Sequence, residues 1–299
     1  MLTVVLPFWI SIALLSLIQG ALVALPVRLE GRAARALPRR LEGPRRWWAI
    51  IPAGSVVGFV LLAQAAERQS TRALTYVALV GVPLGAALAL ALVLAFGLAR
   101  GDPDLARAGT LRRVGAAAVG ATAALFAVAW LARSSLVGQL AATALTALSC
   151  AALGTLLGRL TPGRWLAWGI LVMAATDLAL VAGNLLEGPN DALVAAHPAG
   201  GLPALQRVVL GSATMGYGDL FIAGVLGGLL AARGPRSRQV QAAWLVAALA
   251  LCSDLLFFWV GELPATVPVA LAMIVLWLVD RARRTRERAV RNRADAARV

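Results

Sequence analysis

Three aspartates, Asp177, Asp219 and Asp254, fall inside long apolar stretches of this chain, and the second closes the run Gly216-Tyr217-Gly218-Asp219. A carboxylate at bilayer depth costs roughly 2.5–3.5 kcal/mol on insertion scales, so such a group faces a polar interior and does a job there. Two acids on neighbouring segments can share a proton, because like charges a few ångströms apart cannot both ionise in a low dielectric. One then acts as general base on a water and the other as general acid toward the carbonyl and the leaving amine. That is the chemistry of aspartyl proteases, with Asp177 and Asp219 as the candidate catalytic pair. Asp254 is expected to be a hydrogen-bonded acid facing the bundle or an outer water pocket.

The elements that must position these acids are transmembrane helices. Of 299 residues, 60% are hydrophobic and 14% charged, a composition that belongs to a polytopic membrane protein. Nine apolar spans can be marked out, approximately 2–27, 47–66, 73–99, 114–132, 136–158, 164–187, 208–232, 240–260 and 263–280. The expected fold is therefore all-α. A nine-helix domain covers residues 1–280, its catalytic part about 164–280, and a basic tail covers 281–299.

All 28 basic residues are arginines. They cluster between spans, which argues against nucleic acid as a partner and for the lipid bilayer. Alternate loops hold all of them except Arg68, Arg72, Arg133 and Arg207. The positive-inside rule then sets the N-terminus outside and the tail in the cytoplasm of a cell membrane. Cys150 and Cys252 lie inside spans, and the one histidine, His197, lies in an outer loop. Neither a His-rich metal site nor a cofactor is expected from these residues.

On this layout Asp177 and Asp219 sit about ten and twelve residues from the outer ends of their helices. At 1.5 Å rise per residue the depths are ~15 and ~18 Å, level enough for the carboxyls to meet. Helical spacing puts Asp177 on a face with Met173, Ala174, Leu180 and Val181, and Asp219 on one with Met215, Gly216, Ile222 and Ala223. Gly224 and Gly228 form a small-xxx-small pair suited to close helix packing. Gly216 and Gly218 flank an acid and leave room for substrate backbone or water.

Thr176-Asp177 on a sixth span, Gly216-Tyr217-Gly218-Asp219 on a seventh and Pro264-Ala265 at the start of a ninth resemble the GxGD intramembrane aspartyl proteases, the presenilins and signal peptide peptidases. The resemblance covers residues 164–280 and the helix count, and the orientation is similar to the signal peptide peptidase branch. It departs in Thr176, where the family usually has Tyr, and in Thr266, where Pro-Ala-Leu is usual. It implies cleavage of transmembrane segments or remnant signal peptides, with substrate unwinding and pairing as a strand beside the Pro264 region. It also implies that Gly216, Tyr217, Gly218, Pro264, Ala265 and Thr266 shape the site, and that Thr266→Leu is tolerated. Two other readings stand beside it. One is a transporter or channel using the aspartates as a proton or cation relay. The other is a prepilin-peptidase-like enzyme, a family that also carries GxGD.

Overall fold

The computed structural model describes residues 7–28, 67–101, 108–183, 195, 198–259 and 263–296. The second expected span, 47–66, and His197 lie outside the described residues. Within them the chain forms α1 (Phe8–Ala24), α2 (Glu67–Gly101), α3 (Ala108–Leu131), α4 (Leu136–Leu160) and α5 (Gly163–Ala182). A hairpin of β1 (Arg207–Leu210) and β2 (Ala213–Gly216) follows. Then come α6 (Tyr217–Arg233), α7 (Arg236–Asp254) and α8 (Val267–Ala296). The protein is thus mostly helical, and among the described residues four helices are long and apolar enough to cross a membrane: α2 over Arg72–Ala95, α3 over Arg112–Leu131, α4 and α5.

The seventh span is where the sequence reading needs correction. Residues 208–216 are not the start of a helix but an antiparallel hairpin, with Leu210 opposite Ala213 and Arg207 opposite Gly216. Two adjacent valines and a threonine favour strand. The two-residue turn Gly211-Ser212 is opened by Gly211 at φ 60, a conformation that glycine adopts without steric cost. Met215 and Gly216 therefore share no helical face with Asp219, which instead occupies the first turn of α6. At the chain's end, α8 begins at Val267 and runs unbroken through Ala296. The basic tail is a continuation of the last helix rather than a separate segment.

Two clusters make the core. The larger joins α1, the hairpin, α6, α7 and α8, with contributions from α4 and α5. The smaller joins α2, α3 and α4 around Val82, Ala86, Ala129 and Leu145. Between α4 and α6 the backbones touch: a side chain at Gly154 would strike the Gly224 carbonyl, and one at Gly228 would strike that of Gly154. Small residues permit this approach, as expected of Gly224 and Gly228. Elsewhere large apolar side chains face outward, among them Val77, Leu84, Leu131 and Trp168, a surface that lipid rather than water would cover.

Arginine and glutamine side chains tie the other helix ends together. Arg233 donates to the Gly158 and Thr161 carbonyls at the end of α4, at 3.3 and 2.7 Å. Arg236 reaches the Ala24 carbonyl of α1 at 2.5 Å, and Gln239 the Val23 carbonyl at 2.8 Å. Cations at helix C-termini satisfy free carbonyls and complement the dipole. The ends of α1, α4 and α6 and the start of α7 thereby form one layer.

Candidate active site

That layer gives a common baseline for the two acids. Arg233, the last residue of α6, packs against Gly163, the first of α5. Asp219 lies fourteen residues back from Arg233, and Asp177 fourteen residues on from Gly163. Equal counts at 1.5 Å per residue raise both to the same height, about 21 Å above the layer. Both line one cavity of about 1440 Å³.

Each acid is held by a different device. In Gly216-Tyr217-Gly218-Asp219 the first glycine is the N-cap of α6 and the aspartate its third residue. The Asp219 carboxyl turns back over Gly216 and accepts its backbone N–H, the reach that an acid at this position makes in a capping box. One of its oxygens lies 3.2 Å from where a Gly216 side chain would begin. Glycine there gives the carboxyl its space. A side chain at Gly218 would meet nothing within 4 Å, so that glycine leaves the cavity open beside the acid. Tyr217 lines the same cavity and sets its hydroxyl 3.0 Å from that of Ser149 on α4, which anchors the start of α6.

Asp177 sits in the body of α5 and is held from outside its helix. Thr266 Oγ1 donates to its Oδ2 at 2.7 Å. Thr266 belongs to the non-helical stretch Leu263–Thr266 that precedes α8. Pro264 biases Leu263 away from helix, and the turn closes with Val267 N–H donating to the Pro264 carbonyl at 3.1 Å. The hydroxyl at 266 thus has a specific task in this chain. That reverses the expectation drawn from family resemblance that leucine would serve equally well.

Gln19 of α1 completes the arrangement, and the sequence reading passed over it. Its Nε2 donates to the Ala265 carbonyl at 2.7 Å and to the Asp219 carbonyl at 3.4 Å. Two carbonyl acceptors fix which end of the amide is the donor. A continuous path therefore runs from Asp219 through Gln19 and Ala265 to Thr266 and Asp177. Gln19 is 1% exposed. The signal for it was a glutamine in the middle of an apolar span, the pattern that drew attention to the aspartates. Ser16, one turn earlier, donates to Asp254 at 2.6 Å, so Asp254 is the hydrogen-bonded acid expected of it.

The arrangement brings together Asp177, Asp219, Gly216, Gly218, Ala265 and Thr266, and sets the Tyr217 hydroxyl against α4. Chemically it offers two carboxyls at one level, a cleft beside them, and irregular backbone on both sides. Comparison with protein-family models, curated proteins and solved structures finds no match to this chain.

Proposed function

We propose that the chain is an intramembrane aspartyl endopeptidase that hydrolyses peptide bonds within transmembrane segments or remnant signal peptides. The observation that carries this reading is the placement of Asp177 and Asp219 at one height in one cavity. In that cavity the pair shares a proton; one carboxyl activates water and the other protonates the leaving amine. The hairpin supports the same reading. β2 has one edge paired to β1, its residues line the cavity, and so do Leu263 and Pro264. A substrate unwound into an extended strand could add to a free edge of this kind by main-chain hydrogen bonds. Unwinding exposes the carbonyl that a helical substrate hides in its own hydrogen bonds.

The proposal includes nine crossings, with the N-terminus outside and the tail in the cytoplasm of the cell membrane, as the arginine distribution favours. Substrate spans then have a cytoplasmic N-terminus. The test is reconstitution of the full chain into liposomes with an apolar transmembrane peptide, with products read by mass spectrometry. The reading expects cuts inside the apolar span that disappear in Asp219→Asn. An intact peptide with correctly folded protein, or cuts that survive the substitution, would exclude it. Proton or cation flux lost on the same substitution would favour the relay instead.

A further inference from the structure

The cavity that holds the acids also holds a guanidinium. Arg207 opens β1 directly opposite Gly216, and opposed residues of an antiparallel pair project from the same face of the sheet. Val208 and Leu210 are buried in the core. Alternation therefore turns Arg207 and Val209 to the other face, together with Thr214 and Gly216. The Asp219 carboxyl lies on that face, close to where a Gly216 side chain would begin. Arg207 is half-buried and lines the cavity alongside Gly216 and Asp219. Its Nε is buried with no hydrogen-bond partner. Among the described residues no carboxylate pairs with it; Arg238, in the first turn of α7, pairs with Asp280.

A cation withdrawn from water without a counter-ion is costly, and the cost is recovered when an anion arrives. The planar guanidinium fork matches a carboxylate with two parallel hydrogen bonds. We propose that Arg207 is an anion-binding subsite of this cavity that receives a carboxylate of the substrate. The inference rests on the protease reading and deepens it. Cross-strand pairing starts the Arg207 side chain about 5 Å from the Gly216 position, so the subsite lies within a few residues of extended chain of the acids. Two sources present that chemistry at that distance. One is the free C-terminus of a peptide already cut once by another hydrolase, and the other is an Asp or Glu side chain near the end of the span.

Binding to the full chain in lipid nanodiscs tests the subsite without requiring turnover. The probes are one apolar transmembrane peptide made in C-terminal lengths differing by single residues, each as free acid and as amide. A parallel amide series carries Glu or Gln as its last residue. At one length the free acid, or the Glu amide, should bind about tenfold or more tightly than its neutral partner. A preference confined to the first series assigns the chain terminus, and one confined to the second assigns the side chain. Arg207→Gln should bind charged and neutral peptides alike, and Arg207→Lys should keep part of the preference because it keeps charge but not the fork. Equal binding of charged and neutral peptides by wild type at every length overturns the subsite, as does a preference that survives Arg207→Gln. The wild-type comparison needs no variant, so misfolding of Arg207→Gln would not leave the question open. Cleavage is read separately in the same samples. Peptides bound with the carboxylate preference yet never cut would overturn the protease reading and leave the subsite standing.

Discussion

One helix, α6, meets its neighbours in two opposite ways. Toward α4 it lies backbone on backbone, where a side chain at Gly154 or Gly158 would strike the carbonyl of Gly224 or Gly228. Toward α5 it faces a cavity, and Gly218 has open space before it. α5 buries only Leu166, Ile170 and Ala174, and its Trp168 is 60% exposed. The contrast separates a fixed acid from a lent one. Asp219 rides on a helix locked against α4 and reaches back to its own N-cap. Asp177 rides on a looser helix and depends on a hydroxyl from the segment before α8. The geometry of the acid pair is thus built by holding one side rigid and steering the other.

The largest effect should come from filling the rigid side. Gly228→Leu drives a side chain into the Gly154 carbonyl. Overpacking of this kind costs about 1–3 kcal/mol when neighbours can shift and more when backbone blocks the way. Thermal unfolding in detergent should show loss of the folded form, and an unchanged midpoint would deny the seam its role. Next comes the link between the sides. Gln19→Leu leaves the Asp219 and Ala265 carbonyls without their donor, at about 1–3 kcal/mol for a buried group. Turnover should fall tenfold or more with KM little changed, and a pure KM effect would place Gln19 in binding instead.

Smaller effects should come from the steered side. Thr266→Leu removes a hydrogen bond to Asp177 and should lower kcat/KM several-fold, while Thr266→Ser, which keeps the hydroxyl, should stay near wild type. Equal rates in both variants would show that Asp177 needs no outside hold. The smallest effect on stability is expected at Gly218→Ala. Nothing obstructs the added methyl, and alanine favours helix over glycine by about 1 kcal/mol. The fold should be unharmed or slightly steadier while cleavage slows, because the methyl narrows the space beside Asp219.

The two acids stood out in the sequence because charge in an apolar span has few explanations, but the depths counted from the outer helix ends did not hold, since Asp219 is the third residue of α6 and α5 ends at Ala182. The hairpin did not stand out, since Val208-Val209-Leu210 is as apolar as a membrane helix and length alone cannot separate the two. The signal that could have separated them was Gly211-Ser212, a two-residue turn between β-favouring runs. Gln19 was missed, and Thr266 misjudged, for another reason. Their partners lie 200 and 246 residues away for Gln19 and 89 residues away for Thr266, and no local pattern records such a pairing. Arg207 was counted only toward topology, although its register opposite Gly216 becomes visible once the strands are paired.

The central claim is that Asp177 and Asp219 act as one unit. Groups that work together are non-additive: removing either costs about as much as removing both. The direct measurement is kcat/KM for cleavage of one transmembrane peptide by wild type, Asp177→Asn, Asp219→Asn and the double variant, all verified as folded. The account predicts that both single variants and the double variant fall to the same background rate. Substantial cleavage retained by either single variant, with a further loss in the double, would contradict it.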